Sequence, residues 1–309
     1  MQHDTDQPDP PSPASSDVDV PDRWGDLALR FGVGTVMGLL TLGAMAIGGW
    51  AFQAAIAAIC AVLVWEIARM LSRGPAVRRM TTLPDRRAAG PARTSGPLIL
   101  GGLAAAALIS AFVLPPGFAL PLLLAPAIAA IRLLSHNRSV FMPFCVAILL
   151  AGWGLADLRV TFGFEWMLWL ALVVVATDVF GYFAGKQFGG PKFWPKVSPK
   201  KTWSGTVAGW IAAAAVGAVF WAIHDVSSQI VGISVALSMA SQMGDIAESA
   251  VKRRMGVKDS SSLLPGHGGV FDRFDGVLGA ALLLLIVQSV VDFPPRPVVL
   301  ATPAAAAGA

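Results

Sequence analysis

The stretch "GHGGVFDRFDGVLGAALLLLIVQSVV", residues 266–291, decides how this chain is read. His267, Asp272, Arg273 and Asp275 crowd together just ahead of an apolar run. Read as a helix over residues 276–292, that run approaches the length of about 20 mainly apolar residues that crosses a bilayer. The charges then stand where lipid meets water.

Outward from this stretch the same apolar texture recurs. The chain has 309 residues, 55% of them hydrophobic and 14% charged, and its mean hydropathy is +0.65. Soluble domains carry roughly 25% charged residues, so a single water-soluble domain is excluded. Further spans are predicted over 28–49, 51–71, 97–114, 117–134, 139–157, 166–185, 205–224 and 228–248, with ends movable by a few residues. The reading is an all-α, polytopic integral membrane protein of about nine transmembrane helices. "PPG" at 115–117 is a turn between antiparallel helices. The pairs Gly34/Gly38 and Gly205/Gly209 permit close helix packing. "GVGTVMG" lies inside the first span with the wrong spacing and no preceding strand, so it is no dinucleotide fingerprint.

Charge fixes an orientation. With the N-terminus in the cytoplasm, nine spans leave the C-terminus outside, and 21 of the 23 Lys and Arg fall on the inner side. Only Arg159 and Arg296 lie outside, a distribution that follows the positive-inside rule. The two loops with unusual chemistry, 186–204 and 252–275, then face the cytoplasm. Residues 1–26 form an acidic, Pro- and Ser-rich tail expected to be disordered, with no basic and apolar leader pattern. Residues 27–165 hold the N-terminal spans, 166–293 the later spans with the two charge-rich loops, and 294–309 a second disordered tail. Cys60 and Cys145 sit in apolar runs, and neither a disulfide framework nor structural zinc is expected.

Three stretches carry chemistry. In "ATDVFGYFAGKQFGGPKFWPKVSPKKTWSG", 176–205, Asp178 lies about two turns inside a span, where a carboxylate costs about 2.5 kcal/mol or more unless it meets a polar cavity or a partner. Lys186, Lys192, Lys196, Lys200 and Lys201 follow, interleaved with Gly189 and Gly190, a pattern suited to phosphate oxygens but also to topogenic charge or anionic headgroups. Ser198, Thr202 and Ser204 add hydroxyls at a helix start, which welcomes anions. In "MGDIAESAVKRR", 243–254, helical periodicity puts Asp245, Glu248, Ser249 and Lys252 on one face. Glu248 and Lys252 read as an i,i+4 ion pair, which leaves Asp245 unexplained. In the opening stretch Asp272 and Asp275 share a face at i,i+3. Together with Asp178 and Asp245 they offer the hard oxygens that Mg²⁺ takes alongside substrate phosphates, which points to phosphoryl or nucleotidyl transfer.

The run "SAVKRRMGVKDSSSLLPGHGGVFDRFDG", 249–276, resembles the signature of phosphatidate cytidylyltransferases, the CDP-diacylglycerol synthases. The residues that carry the likeness are Ser249, Lys252, Arg253, Lys258, Asp259, Pro265, His267, Gly268, Gly269, Asp272, Arg273 and Asp275. "TDVFGYFAGKQFG…SPKKT" upstream extends the likeness over about residues 170–280. The chain departs at Gly181, where members commonly have Ala, and at Ser204, where many carry Glu.

This resemblance implies transfer from CTP to phosphatidate, giving CDP-diacylglycerol and pyrophosphate, with Mg²⁺ and room for a second cation. Asp245, Asp272 and Asp275 would hold metal with Asp178 nearby, and Asp245, Lys252, Asp272 and Asp275 would form the catalytic set. Lys200, Lys201, Thr202, Ser249, Lys252, Arg253, Lys258 and Arg273 would hold the phosphates. His267, Gly268 and Gly269 would shape the nucleotide loop. Family precedent implies a homodimer in a bacterial inner membrane, with membrane lipids as surroundings and no nucleic-acid partner. Two readings compete: a CTP-dependent transferase or kinase acting on another lipid (a diether phosphate, polyprenol or phytol), and a cation-coupled transporter, which also uses intramembrane acids. The transporter predicts charge near mid-bilayer and paired helix breaks. Here charge gathers at one face without a repeat.

Overall fold

A computed structural model describes residues 23–72, 95–224, 226–264, 266 and 268–294. Most of both predicted tails, the arginines at 73–93 and His267 lie outside the described residues. Ten α-helices follow in order: α1 Arg23–Ile47, α2 Gly49–Ser72, α3 Ser95–Val113, α4 Pro116–Leu122, α5 Ala125–Leu133, α6 Arg138–Asp157, α7 Phe164–Phe188, α8 Trp203–Ile223, α9 Gln229–Met255 and α10 Phe271–Val290. A π-helical turn, Leu158–Phe162, prolongs α6. Seven of these helices (α2, α3, α6 with its π turn, and α7 to α10) are long and apolar enough to cross a membrane. Large apolar side chains such as Leu40, Phe180, Ile211 and Ile286 point outward, as they do on a protein solvated by lipid. The protein is an all-α polytopic integral membrane protein.

The predicted span over 117–134 is not one helix. It breaks into α4 and α5, with Pro121 inside the first and Pro126 at the start of the second. Proline removes an amide donor and crowds the carbonyl of the preceding turn. The predicted loop after α7 also has structure: β1 Lys192–Trp194 and β2 Ser198–Thr202 pair as an antiparallel hairpin.

Alternating helix ends meet as the span order requires. Asn137 donates to the Leu71 carbonyl at 3.1 Å and approaches Met255 Sδ at 3.8 Å, which gathers the ends of α2 and α9 with the start of α6. At the opposite end Arg159 donates to the carbonyls of Met45 at 2.6 Å and Ala46 at 3.3 Å. A guanidinium there satisfies orphan carbonyls and complements the negative end of α1. Cys60 and Cys145 are buried and free.

Two helix crossings position the site. Where α7 meets α8, a Cβ on Gly181 would stand 3.2 Å from the Gly205 carbonyl, and one on Gly185 2.9 Å from Thr202 Oγ1. Where α9 meets α10, Gly244 lies against the Asp275 carbonyl, and a Cβ on Gly276 would stand 2.7 Å from Ser241 Oγ. Small residues let apolar helices approach closely in lipid. The α9–α10 crossing brings the residue after Gly244, which is Asp245, beside Asp275.

Candidate active site

A cavity of about 370 Å³ opens between α7, β2, α8 and α9, lined among others by Asp178, Lys186, Lys200, Lys201, Gln242 and Asp245. Local contacts set the place of several of these side chains. Thr202 caps α8, its Oγ1 accepting from the Gly205 amide at 3.3 Å. That cap aims the hairpin's last lysines at α9, and Lys201 pairs with Asp245 at 2.5 Å. Gln242 accepts from Trp210 Nε1 at 3.0 Å and donates to the Thr206 carbonyl at 3.2 Å, fixing α9 against α8 beneath the cavity.

Beside it three carboxylates converge. One oxygen from each of Asp245, Glu248 and Asp275 lies within 4.8 Å of the others. Ser249 Oγ donates to Asp245 at 3.3 Å and the Gly276 amide to Asp275 at 2.8 Å. Glu248 Oε1 is buried without a hydrogen-bond partner. Buried polar atoms are seldom left so. An oxygen orphaned among other carboxylates is what a divalent cation satisfies, and an all-oxygen donor set suits Mg²⁺. These residues therefore fit the metal that the sequence resemblance implies.

Lys252 sits between two acids, 2.5 Å from Glu248 and 2.7 Å from Asp272. Asp272 also accepts from the Ser260 amide at 3.0 Å, Ser260 Oγ at 3.1 Å and the Gly269 amide at 2.7 Å. Its lone pairs are largely committed to the loop, whereas Glu248 joins the open cluster. The Leu264 amide donates to the Gly268 carbonyl at 2.9 Å and closes the tip of that loop, with Gly268 in the left-handed region at φ 83°.

Asp178, Lys200, Lys201, Thr202 and Asp245 thus line one cavity, with Glu248 and Asp275 beside its Asp245 wall. Lys252 and Asp272 stand one ion pair away from Glu248. Arg253, Lys258 and Arg273 are exposed and outside the cavity lining. Two acids escaped the sequence reading. Glu248 was absorbed by its ion pair with Lys252, which does form. Glu66, fully buried on α2, was passed over, although an acid inside the apolar run "VLVWEIARM" is itself a signal.

Loop, hairpin and carboxylate cluster meet at the ends of long apolar helices. The chain belongs to the cytidylyltransferase family, whose model matches residues 28–291. It is similar to the phosphatidate cytidylyltransferase of Brucella suis, 45% identical over 138 residues, which cover 44% of this chain and 51% of the relative. The enzyme of that name from Brucella melitensis is 47% identical over 139 residues, 44% of this chain and 51% of the relative. That of Staphylococcus saprophyticus is 41% identical over 162 residues, 50% of this chain and 62% of the relative. The chain spans about half the length of the Brucella relatives it matches.

Proposed function

We infer that this protein is a phosphatidate cytidylyltransferase of the bacterial inner membrane, with its site facing the cytoplasm. In this reaction a phosphate oxygen of phosphatidate attacks the α-phosphorus of CTP in line, forming the new P–O–P bond. The bond to the β-phosphate breaks, and pyrophosphate leaves as CDP-diacylglycerol forms. The observation that carries the reading is the juxtaposition of Lys200 and Lys201 with Asp245, Glu248 and Asp275 where apolar helices end. One substrate is a lipid and the other is soluble, so the chemistry belongs at that boundary.

Lys200, Lys201 and Lys186 line the cavity and neutralise phosphate charge, and the catalysis is mainly positioning and electrostatic. Lys252 holds Glu248 and Asp272 in place. The attacking phosphate oxygen is already ionised near neutral pH, so no strong general base is needed. A Mg²⁺ held by Asp245, Glu248 and Asp275, with Asp178 nearby, would supply charge neutralisation at the triphosphate. The acyl chains stay among the lipid-facing helices. The names of the relatives support phosphatidate as acceptor over another lipid.

Purified protein should release pyrophosphate only when CTP, phosphatidate and Mg²⁺ are all present. A chelator should abolish release, and added Mg²⁺ should restore it. Release without lipid, or unaffected by chelation, would refute this reading.

A further inference from the structure

Glu66 is fully buried on α2, in the N-terminal half of the protein, far in sequence from the signature loop. Its carboxylate nonetheless takes hydrogen bonds from that loop alone among the described residues. Ser261 Oγ donates at 2.5 Å, the Phe271 amide at 2.7 Å, the Val270 amide at 3.0 Å and Ser260 Oγ at 3.4 Å. Val270 and Phe271 open α10. Their amides are among the four that a helix start leaves without an internal partner, and a carboxylate there also meets the positive end of the helix dipole. A Cβ on Gly269 would stand 2.7 Å from Glu66 Oε1, so the loop can seat on Glu66 only with glycine at that position.

The loop is therefore gripped from two sides. Glu66 takes the amides of Val270 and Phe271, Asp272 those of Ser260 and Gly269, and the Ser260 hydroxyl lies within reach of both acids. Asp272 is in turn held by Lys252, which also binds Glu248. We propose that Glu66 is a positioning residue for the transfer reaction: it fixes the height and rotation of the first turn of α10, and so the placement of Asp272 and Asp275 against α9. It lies outside both the cavity lining and the carboxylate cluster. The proposal rests on the cytidylyltransferase reading of the site.

The test compares wild-type protein with Glu66→Gln, which keeps size and shape but turns one acceptor into a donor facing amides, and with Glu66→Ala. Cytidylyl transfer and amide hydrogen exchange are measured on the same purified samples. Displacement of a reacting group by about 1 Å costs on the order of 100-fold in rate. Glu66→Gln should therefore lower kcat by about that factor, with the KM for CTP and for phosphatidate changed by less than about threefold. Exchange should quicken over residues 260–275 and stay unchanged over α7 and α8. A Glu66→Gln protein with wild-type kcat would overturn the proposal. So would loss of activity accompanied by faster exchange throughout the bundle, which is the mark of a merely structural role. If the Ala variant does not fold, the Gln variant alone decides. If wild-type protein transfers no cytidylyl group, the functional reading has failed. Exchange at residues 260–275 then still reports whether Glu66 holds the loop, and unchanged exchange there would sink that part too.

Discussion

At the scale of single residues, two ion pairs of equal length make opposite predictions. Lys201 and Asp245 meet at 2.5 Å with side chains 24% and 33% exposed, whereas Lys252 and Glu248 meet at 2.5 Å with 14% and 1% exposed. A pair that water reaches contributes about 0–1 kcal/mol. Breaking a buried one strands an uncompensated charge and costs about 3–5 kcal/mol. Lys252→Met should therefore destabilise the fold severely in a denaturant titration, since it leaves Glu248 and Asp272 facing each other. Lys201→Met should leave stability nearly unchanged while transfer falls; equal destabilisation by the two would refute this ranking. For the carboxylates, Glu248→Gln and Asp275→Asn should each lower turnover by on the order of 100-fold and raise the Mg²⁺ concentration needed for half-maximal rate. Helical spacing alone puts Asp245 with Lys252 and Asp272 with Asp275 on shared faces, but only the crossing of α9 with α10 sets Asp245 beside Asp275. Glu66 stands out as an acid in an apolar run, but its partners lie some two hundred residues away and no local pattern announces them.

At the scale of elements, the crossing of α7 with α8 shapes the cavity. Gly205 packs against the Gly181 carbonyl and against Gly185, and a side chain there forces the helices apart. Gly205→Ala should lower transfer at least tenfold, because Thr202, the cap that aims Lys200 and Lys201, moves with the start of α8. Gly181→Ala places its methyl 3.2 Å from a carbonyl, a strain a small shift relieves, and should be far milder. If both variants transfer at the wild-type rate, this crossing does not set the site. The seven long helices were legible from apolar length. The break between α4 and α5 was marked by Pro121 and Pro126, yet hydropathy averaged over a window hides it. The hairpin was read as a loop because strands of three and five residues carry too little alternation to register. The Gly205/Gly209 spacing did foretell close packing. The matching pair in α1 did not, as a Cβ on Gly38 would meet open space.

At the scale of the whole molecule, the order of spans makes Asn137, Leu71 and Met255 meet at one end and Arg159 with Met45 at the other. That alternation follows the span order, and that the end with Asn137 is cytoplasmic is what the count of basic residues leads us to expect. Lys196→Cys in the hairpin, with Cys60 and Cys145 buried out of reach, should react with an impermeant thiol reagent in inverted inner-membrane vesicles and not in intact cells; the reverse would invert the topology. Charge gathered at one end of an apolar bundle, beside a polar cavity, is the arrangement that the proposed lipid–nucleotide transfer calls for. The most direct test supplies CTP labelled on cytidine, and separately on the γ-phosphate, to purified protein with phosphatidate and Mg²⁺, with Asp275→Asn alongside. Cytidine label should enter the lipid phase, γ-label should leave as pyrophosphate, and the variant should do neither. Label entering lipid from the γ-phosphate alone, or no transfer by folded protein, would contradict the account.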